Sequence, residues 1–387
     1  MFDKWKDIKM NQFGSFLPGR VEFGSGRISV LSDWVAKKSI LFMSDAGVKG
    51  SGILDPVVDA CRKSAAEVTE FYETPTEPSE DEAAAIAGRF KSAKIDAIVA
   101  VGGGSVLDMA KVLGVLIGGD ATVADLFDGR FPASRSIDLI MVPTTAGTGA
   151  EATPNSILYR PSMKLKVGIV CGLFVADKII LDPDLTLGLP KGVTASTGLD
   201  ALCHAIECLV SNKANPLSDM LSTEALRLIF ANLRTAYLDG RNVAARANML
   251  LASFYAGVSI ACAGTNIVHA LSYPLGGRYR IPHGVSNAIL LAPAMRFNAA
   301  VAAGKLLGIA RFIPGETEPG REVETVMEEL EALTRDLGIP GKLSDLNVPE
   351  SDLETLVEDA YKVRRLLDNN PREVGKDDIR EIYLALR

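Results

Sequence analysis

Residues 97–115 read AIVAVGGGSVLDMAKVLGV. Ala97–Val101 is a short apolar run, the pattern of a strand buried on both faces of a parallel sheet. Gly102-Gly103-Gly104-Ser105 follows, and the apolar spacing from Val106 to Val115 predicts a helix. The same strand–loop–helix rhythm surrounds this stretch. Ser39–Ser44 (SILFMS), Ala66–Tyr72 and Ile137–Val142 (IDLIMV) read as further strands. Ser79, preceded by Pro78 and followed by an acidic first turn, opens a helix that runs through Phe90. Such alternation predicts a doubly wound, Rossmann-like α/β domain.

The rhythm changes after Asp182-Pro183-Asp184. Beyond Lys191 the patterns are long and helical: Leu217–Leu238, opened by Asn215-Pro216, then Glu322–Leu337 and Ser351–Val363. Residues 1–187 are therefore expected to form an α/β domain and residues 188–387 an all-α domain. Gly315–Pro319 reads as a surface loop, and no internal repeat is evident.

The net charge of −7 over 387 residues argues against a nucleic-acid partner, because phosphate binding needs clustered cations. Met1–Ser15 carries Lys4, Lys6, Asp7 and Lys9 without an apolar core, so no signal peptide is expected there. No run of ~18 apolar residues lacks a charge, so no membrane span is expected. Met249–Ala263, the most apolar stretch, reads as a buried helix. Five cysteines without paired spacing suggest free thiols in a reducing compartment, which points to the cytoplasm.

The chain has three histidines, His204, His269 and His283, all in its second half. Asp200 and His204 are four residues apart, which on a helix puts both on one face, one turn apart. His269 lies in a helix-like segment that Pro274 is expected to end. His283, between Pro282 and Gly284, reads as projecting from a loop. One carboxylate and three imidazoles suit Fe(II) or Zn(II) without any cysteine. A buried histidine is more often a satisfied core residue, so spacing alone leaves a shared metal site and separate packing roles both open. Cys203, one step off the Asp200–His204 face, reads as packing.

At these residues the chain resembles the iron-containing (group III) alcohol dehydrogenase family. Gly102–Lys111 resembles that family's cofactor loop, Pro143–Glu151 its second nucleotide loop, Asp182–Thr186 its interdomain connection, and Gly198–Glu207 with His269–Gly284 its two metal motifs. The resemblance implies the dehydroquinate synthase-like fold of that family, an α/β dinucleotide domain followed by a helical one. It implies Asp200, His204, His269 and His283 as metal ligands, with Fe2+ the expected ion and Zn2+ the alternative. It also implies NAD as cofactor and a homodimer as the assembly. One position departs. Tyr273 stands where many members carry a further histidine, four residues after the third ligand. Its hydroxyl could donate a proton, or its ring could only shape the substrate pocket.

Gly102, Gly103, Gly104 and Ser105, between a strand and a helix, form an anion site in which backbone N–H groups and the helix dipole meet a pyrophosphate. The G-x-G-x-x-G fingerprint itself fails, since Leu107 occupies the last glycine position. Gly147-x-Gly149-x-x-Ala152 fits a variant of it, but no acid lies ~20 residues further on. By resemblance Asp108 belongs to the first loop, and Thr144, Thr145 and Thr148 line the nucleotide. Asp45, at the end of the first strand, would accept from ribose hydroxyls and disfavour a 2′-phosphate, or would serve only as a helix cap. Lys166 resembles a lysine near the cofactor ribose, with a solvated surface lysine as the alternative.

The expected reaction is reversible hydride transfer between NAD(H) and a small primary alcohol or aldehyde, with the metal as Lewis acid. A maleylacetate reductase-type enzyme is the alternative, although Pro282-His283-Gly284 is intact. A dehydroquinate synthase-like lyase would need many cations around its substrate, and Arg278 and Arg280 are the only pair near the ligand segments. A non-catalytic binding protein would not need four ligands beside two cofactor loops.

Overall fold

The computed structural model describes residues 13–387 except Lys164 and Glu316. The signal-peptide reading thus falls mostly on residues outside the described ones, and the Gly315–Pro319 loop includes one of them. The described residues form eight strands: β1 (Arg20–Phe23), β2 (Ser39–Met43), β3 (Glu67–Phe71), β4 (Ala97–Gly102), β5 (Asp138–Pro143), β6 (Asn155–Arg160), β7 (Leu165–Val170) and β8 (Lys178–Leu181). Six form one parallel sheet in the order β1-β8-β5-β4-β2-β3, and β6 with β7 makes a separate antiparallel hairpin.

Between the strands lie α1 (Leu31–Trp34), α2 (Ala46–Gly50), α3 (Asp55–Ser64), α4 (Glu80–Phe90), α5 (Gly104–Leu116) and α6 (Val123–Phe127). All six residues of β4 are buried. Ile98 and Ala100 pack into one core with Leu107 of α5, while Ala97, Val99 and Val101 pack into another with Val57 and Val58 of α3. Helices cover both faces, which is why the strand reads as an unbroken apolar run rather than an alternating one.

The remaining described residues are helical and contain no strand: α7 (Lys191–Val210), α8 (Pro216–Leu238), α9 (Val243–Ala263), α10 (Ile267–Tyr279), α11 (His283–Ala310), α12 (Glu322–Asp336), α13 (Leu353–Tyr361), α14 (Arg364–Leu367) and α15 (Lys376–Leu384). An N-terminal parallel-sheet domain thus precedes a helical C-terminal one. The change falls between Leu181 and Lys191.

Several expectations need correcting. The helix expected from Ser79 is present, with Ser79 and Glu82 in a reciprocal capping box, but β1, β8 and the β6–β7 hairpin left no legible pattern. β1 and β8 are four residues each, too short for alternation to register. Pro274 does not end its helix. α10 continues to Tyr279, losing only the one bond to Ala270 that a proline cannot donate. His283 is not on a loop but is the first residue of the 28-residue α11. Finally, α7, α9 and α11 are each long and apolar enough to cross a membrane by length and composition. Their apolar windows are 83, 61 and 61% buried inside this protein, so the composition that a span would need serves here to fill the helical core.

Candidate functional site

Three helices bring the predicted ligands together. α7 carries Asp200 and His204 on one face, α10 contributes His269 from its first turn, and α11 contributes His283 from its first position. One ligand atom from each of the four lies within 4.8 Å of all the others. Asp200 Oδ1 is 3.8, 3.9 and 3.7 Å from the Nε2 atoms of His204, His269 and His283. The close approach of α11 to α7 depends on Gly284, where a Cβ would stand 2.1 Å from the Ser196 carbonyl oxygen. The Pro-His-Gly segment therefore lets a helix start press against another helix and deliver His283 to the cluster.

The groups behind the histidines orient them. Glu207, fully buried and one turn beyond His204, accepts from His269 Nδ1. It also accepts from the backbone N–H groups of Asn266 and Val268 at 3.0 and 2.7 Å, so one carboxylate both caps α10 and holds the His269 ring. The Gly147 carbonyl lies 3.2 Å from His204 Nδ1. Carboxylates and carbonyls only accept, so each Nδ1 carries a proton and, in the neutral rings, each Nε2 carries a lone pair. Those two Nε2 atoms face each other at 2.9 Å, an arrangement that calls for positive charge between them. Asn287 Nδ2 donates to Asp200 Oδ1 at 2.7 Å and stands 3.1 and 3.2 Å from the Nε2 atoms of His269 and His283. Its Oδ1 has no partner among the described residues.

Burial raises the Asp200 carboxyl, but the three histidines and the Asn287 bond outweigh it and hold the group below its ordinary value. Burial pushes His204 down and His283 down to about 3, against the pull of Asp200. Glu207 reverses that effect for His269, which lies above its ordinary value. An anionic carboxylate with neutral imidazoles at 204 and 283 is the state in which these atoms offer lone pairs. The donor set therefore fits a divalent transition metal.

The cluster opens into a cavity of about 220 Å³ shared with the α/β half. Gly104, Ser105 and Thr148 line it, as do Asp108, Lys166 and Tyr273. Gly102 ends β4, Gly103 is the N-cap of α5, and Thr145 stands against Gly103, all just outside the cavity wall. Thr144 is buried, its Oγ1 without a partner among the described residues. The two loops thus meet at the carboxyl ends of β4 and β5, where open α/β sheets bind ligands.

Asp45 takes the helix-cap alternative, and two further residues are engaged in ways the sequence did not show. Asp45 caps α2, accepting the Val48 N–H at 2.9 Å, and does not line the cavity. Asp108 has both oxygens occupied, by Lys111 Nζ and by the Ile157 N–H, each at 2.9 Å. Lys166 is buried rather than on the surface, and pairs with Glu77 at 2.6 Å. Tyr273 shares the His269 face one turn on, its ring centroid 6.1 Å from that of His283. Burial raises its hydroxyl, which keeps its proton. Cys203 is fully buried, and burial raises its thiol well above the ordinary value, as packing requires.

Sequence reasoning missed Glu207, Asn287 and Arg365. The first two had a signal, since Glu207 follows His204 by three residues and Asn287 follows His283 by four, the spacings that share a helix face. Arg365 had none. It reaches the cavity from α14, whereas Arg278 pairs with Asp359 at 2.7 Å and neither it nor Arg280 lines the cavity.

Comparison with known proteins covers both halves. Residues 18–183 match the family described as iron-containing alcohol dehydrogenase, and residues 194–386 match the Fe-containing alcohol dehydrogenase family, C-terminal. The long-chain-alcohol dehydrogenase 1 of Geobacillus thermodenitrificans is 38% identical over 354 residues, 90% of this chain and 89% of that protein. The sulfoacetaldehyde reductase of Bilophila wadsworthia is 33% identical, covering 87% of this chain and 88% of its own length. The crystal structure of a 1,3-propanediol oxidoreductase superposes with a TM-score of 0.91 at 33% identity, covering 97% of this chain and all of that one.

Proposed function

Because the chain belongs to the iron-containing alcohol dehydrogenase family, an oxidoreductase family acting on alcohols, we propose that it transfers a hydride between NAD(H) and a small primary alcohol or aldehyde. Asp200, His204, His269 and His283 would hold the divalent ion, Fe2+ or Zn2+. The observation that carries this reading is the convergence of four donor atoms within 4.8 Å at one end of a cavity that Gly104, Ser105 and Thr148 also line. When bound, such an ion supplies Lewis-acid polarisation of the substrate oxygen, and nicotinamide supplies the hydride chemistry.

The chain's own groups do the rest. The start of α5 offers unpaired N–H groups to the cofactor pyrophosphate, with Gly102, Gly103 and Ser105 around it. Thr145 and Thr148 stand against Gly103 and Gly104 of the same loop, with Thr144 beside them in sequence, and Lys166, paired with Glu77, lines the cavity near Gly276. Asp108 holds hairpin β6–β7 against α5 and so shapes the wall. Asp45 would favour NAD over NADP, its carboxylate repelling a 2′-phosphate while still capping α2. Glu207 and Gly147 hold the imidazoles with Nε2 aimed inwards, so no reorientation is needed on loading. The Tyr273 hydroxyl, kept protonated by burial, is the proton donor on the wall beside His269.

Residues 1–187 then act as the nucleotide unit and 188–387 as the metal unit. The five free cysteines support a cytoplasmic setting. A homodimer is proposed on the family resemblance, supported by the exposed Phe16, Leu17 and Phe23 at the β1 sheet edge. The relatives act, by their names, on quite different alcohols and aldehydes, so the substrate is a question for the pocket. The test is NADH and NADPH consumption with a panel of aldehydes, before and after chelation. Turnover with NADH that chelation abolishes and Fe2+ or Zn2+ restores is expected. Turnover that survives complete metal removal would overturn the reading.

A further inference from the structure

Among the described residues, the cavity carries one cation without a carboxylate partner. Arg365 lines it from α14. Its guanidinium lies against Gly168 of β7, where a Cβ would stand 2.6 Å from Nη2, so the hairpin has no side chain in the space the arginine fills. It lines the cavity together with Tyr273, His269 and His283. Among the described residues it has no carboxylate partner. The cavity's own acids are engaged elsewhere: Glu77 with Lys166 at 2.6 Å, Asp108 with Lys111 at 2.9 Å, and Asp200 with Asn287 at 2.7 Å. The preceding arginine behaves differently, since Arg364 pairs with Asp368 at 2.5 Å and lies over the Tyr361 ring.

We infer that Arg365 is a specificity residue and that the preferred substrate is a short aldehyde or alcohol bearing an oxyanion, a carboxylate or sulfonate, a few bonds from its reacting carbon. This rests on the alcohol–aldehyde reading above. A loaded divalent site is balanced by the Asp200 carboxylate among its ligands and the buried Glu207 carboxylate behind His269, so Arg365 is the excess positive charge. A neutral substrate leaves the excess uncompensated, whereas an anionic one offsets it and meets the guanidinium's planar fork with two oxygens. The start of α5 is the cavity's other anion site, but it belongs to the α/β half, whereas Arg365 stands on the helical side.

The experiment compares kcat/KM for succinic semialdehyde and sulfoacetaldehyde with that for butanal and propanal, using NADH and metal-loaded protein, for the wild type, Arg365→Gln and Arg365→Lys. Calorimetry with succinate, an unreactive anion, runs alongside. The wild type should prefer one or both anionic aldehydes. Arg365→Gln should lower the anionic-to-neutral ratio about 10- to 100-fold, mainly through KM, and should abolish succinate binding, while Arg365→Lys restores part of both. A ratio unchanged in Arg365→Gln overturns the inference, because a merely structural residue lowers both substrates in proportion. A raised KM for NADH with every aldehyde also overturns it, and assigns Arg365 to the cofactor phosphates. If no aldehyde is reduced by fully metallated wild type, the dehydrogenase reading has failed, and succinate calorimetry still reports on Arg365 alone.

Discussion

Asp108 with Lys111 in the α/β half, and Asp200 with its three histidines in the helical half, are both buried sets of ionisable groups on one cavity, yet they are built oppositely. Lys111 is fully buried and gives its protons to Asp108 Oδ1 at 2.9 Å, Thr153 Oγ1 at 3.2 Å and the Asn155 carbonyl at 2.6 Å. Asp108 gives its second oxygen to the Ile157 N–H. Donors there meet acceptors, and the set closes on itself. In the helical half two acceptor-capable ring nitrogens, Nε2 of His204 and Nε2 of His269, face each other at 2.9 Å while the Nδ1 atoms are turned to Gly147 and Glu207. What separates a structural buried charge from a functional one is therefore the sign of what faces what, not burial itself.

The comparison breaks first at His269. In His269→Ala, metal measured by elemental analysis should fall from about one ion per chain to almost none, and kcat/KM should fall by at least about 10³-fold. The fold should survive, because Glu207 keeps the Asn266 and Val268 N–H groups that cap α10. A variant that stays active without metal would show that the lone pairs converge on nothing chemical. Lys111→Met tests the other cluster. It leaves Asp108 buried without its cation and should cost about 3–5 kcal/mol in urea unfolding, with metal per folded chain unchanged. Loss of metal there would mean that the two clusters are one.

Glu151 sharpens the contrast with a smaller effect. It is buried beside the Asp108–Lys111 pair, its Oε1 has no partner among the described residues, and burial pushes its carboxyl up to about 7. The folded protein thus holds this proton more tightly than the unfolded chain does. The stability it contributes is complete below about pH 4.5, declines as pH rises towards 7, and is gone above it. Across that window the wild type should lose about 3 kcal/mol relative to Glu151→Gln, which cannot ionise. Unfolding curves for the two proteins at pH 5 and pH 8 measure it. A parallel pH response in both would show that the carboxylate is already ionised and satisfied.

Legibility in the sequence followed the range of the interaction. The strand of residues 97–101, the helix after it and the helix start at Ser79 are local patterns, and they lie where they were read. So is the i,i+4 pair Asp200–His204, which α7 presents on one face. The β6–β7 hairpin was not legible, though it forms one wall of the cavity; it stands outside the main sheet, and its strands are only partly buried, so they lack the unbroken apolar run of β4. Asp45 and Lys166 show the other limit. For Asp45 the sequence left a cofactor role and a helix cap open and the Val48 bond is the cap, whereas the Lys166 pair with Glu77 joins residues 89 apart and depends on what folding places beside it.

From the chain alone came the chemistry on offer: three imidazoles and a carboxylate, two glycine-bearing loops, a switch from strands to helices, and no cysteine in a ligand pattern. These follow from side-chain type and from the periods of 3.6 and 2 that backbone geometry imposes over a few residues. Where α10 and α11 dock on α7, which acid orients His269, and that Arg365 enters the same cavity were decided only in three dimensions. Such contacts join segments tens of residues apart, and packing between helices leaves no short-range period from which they could be read.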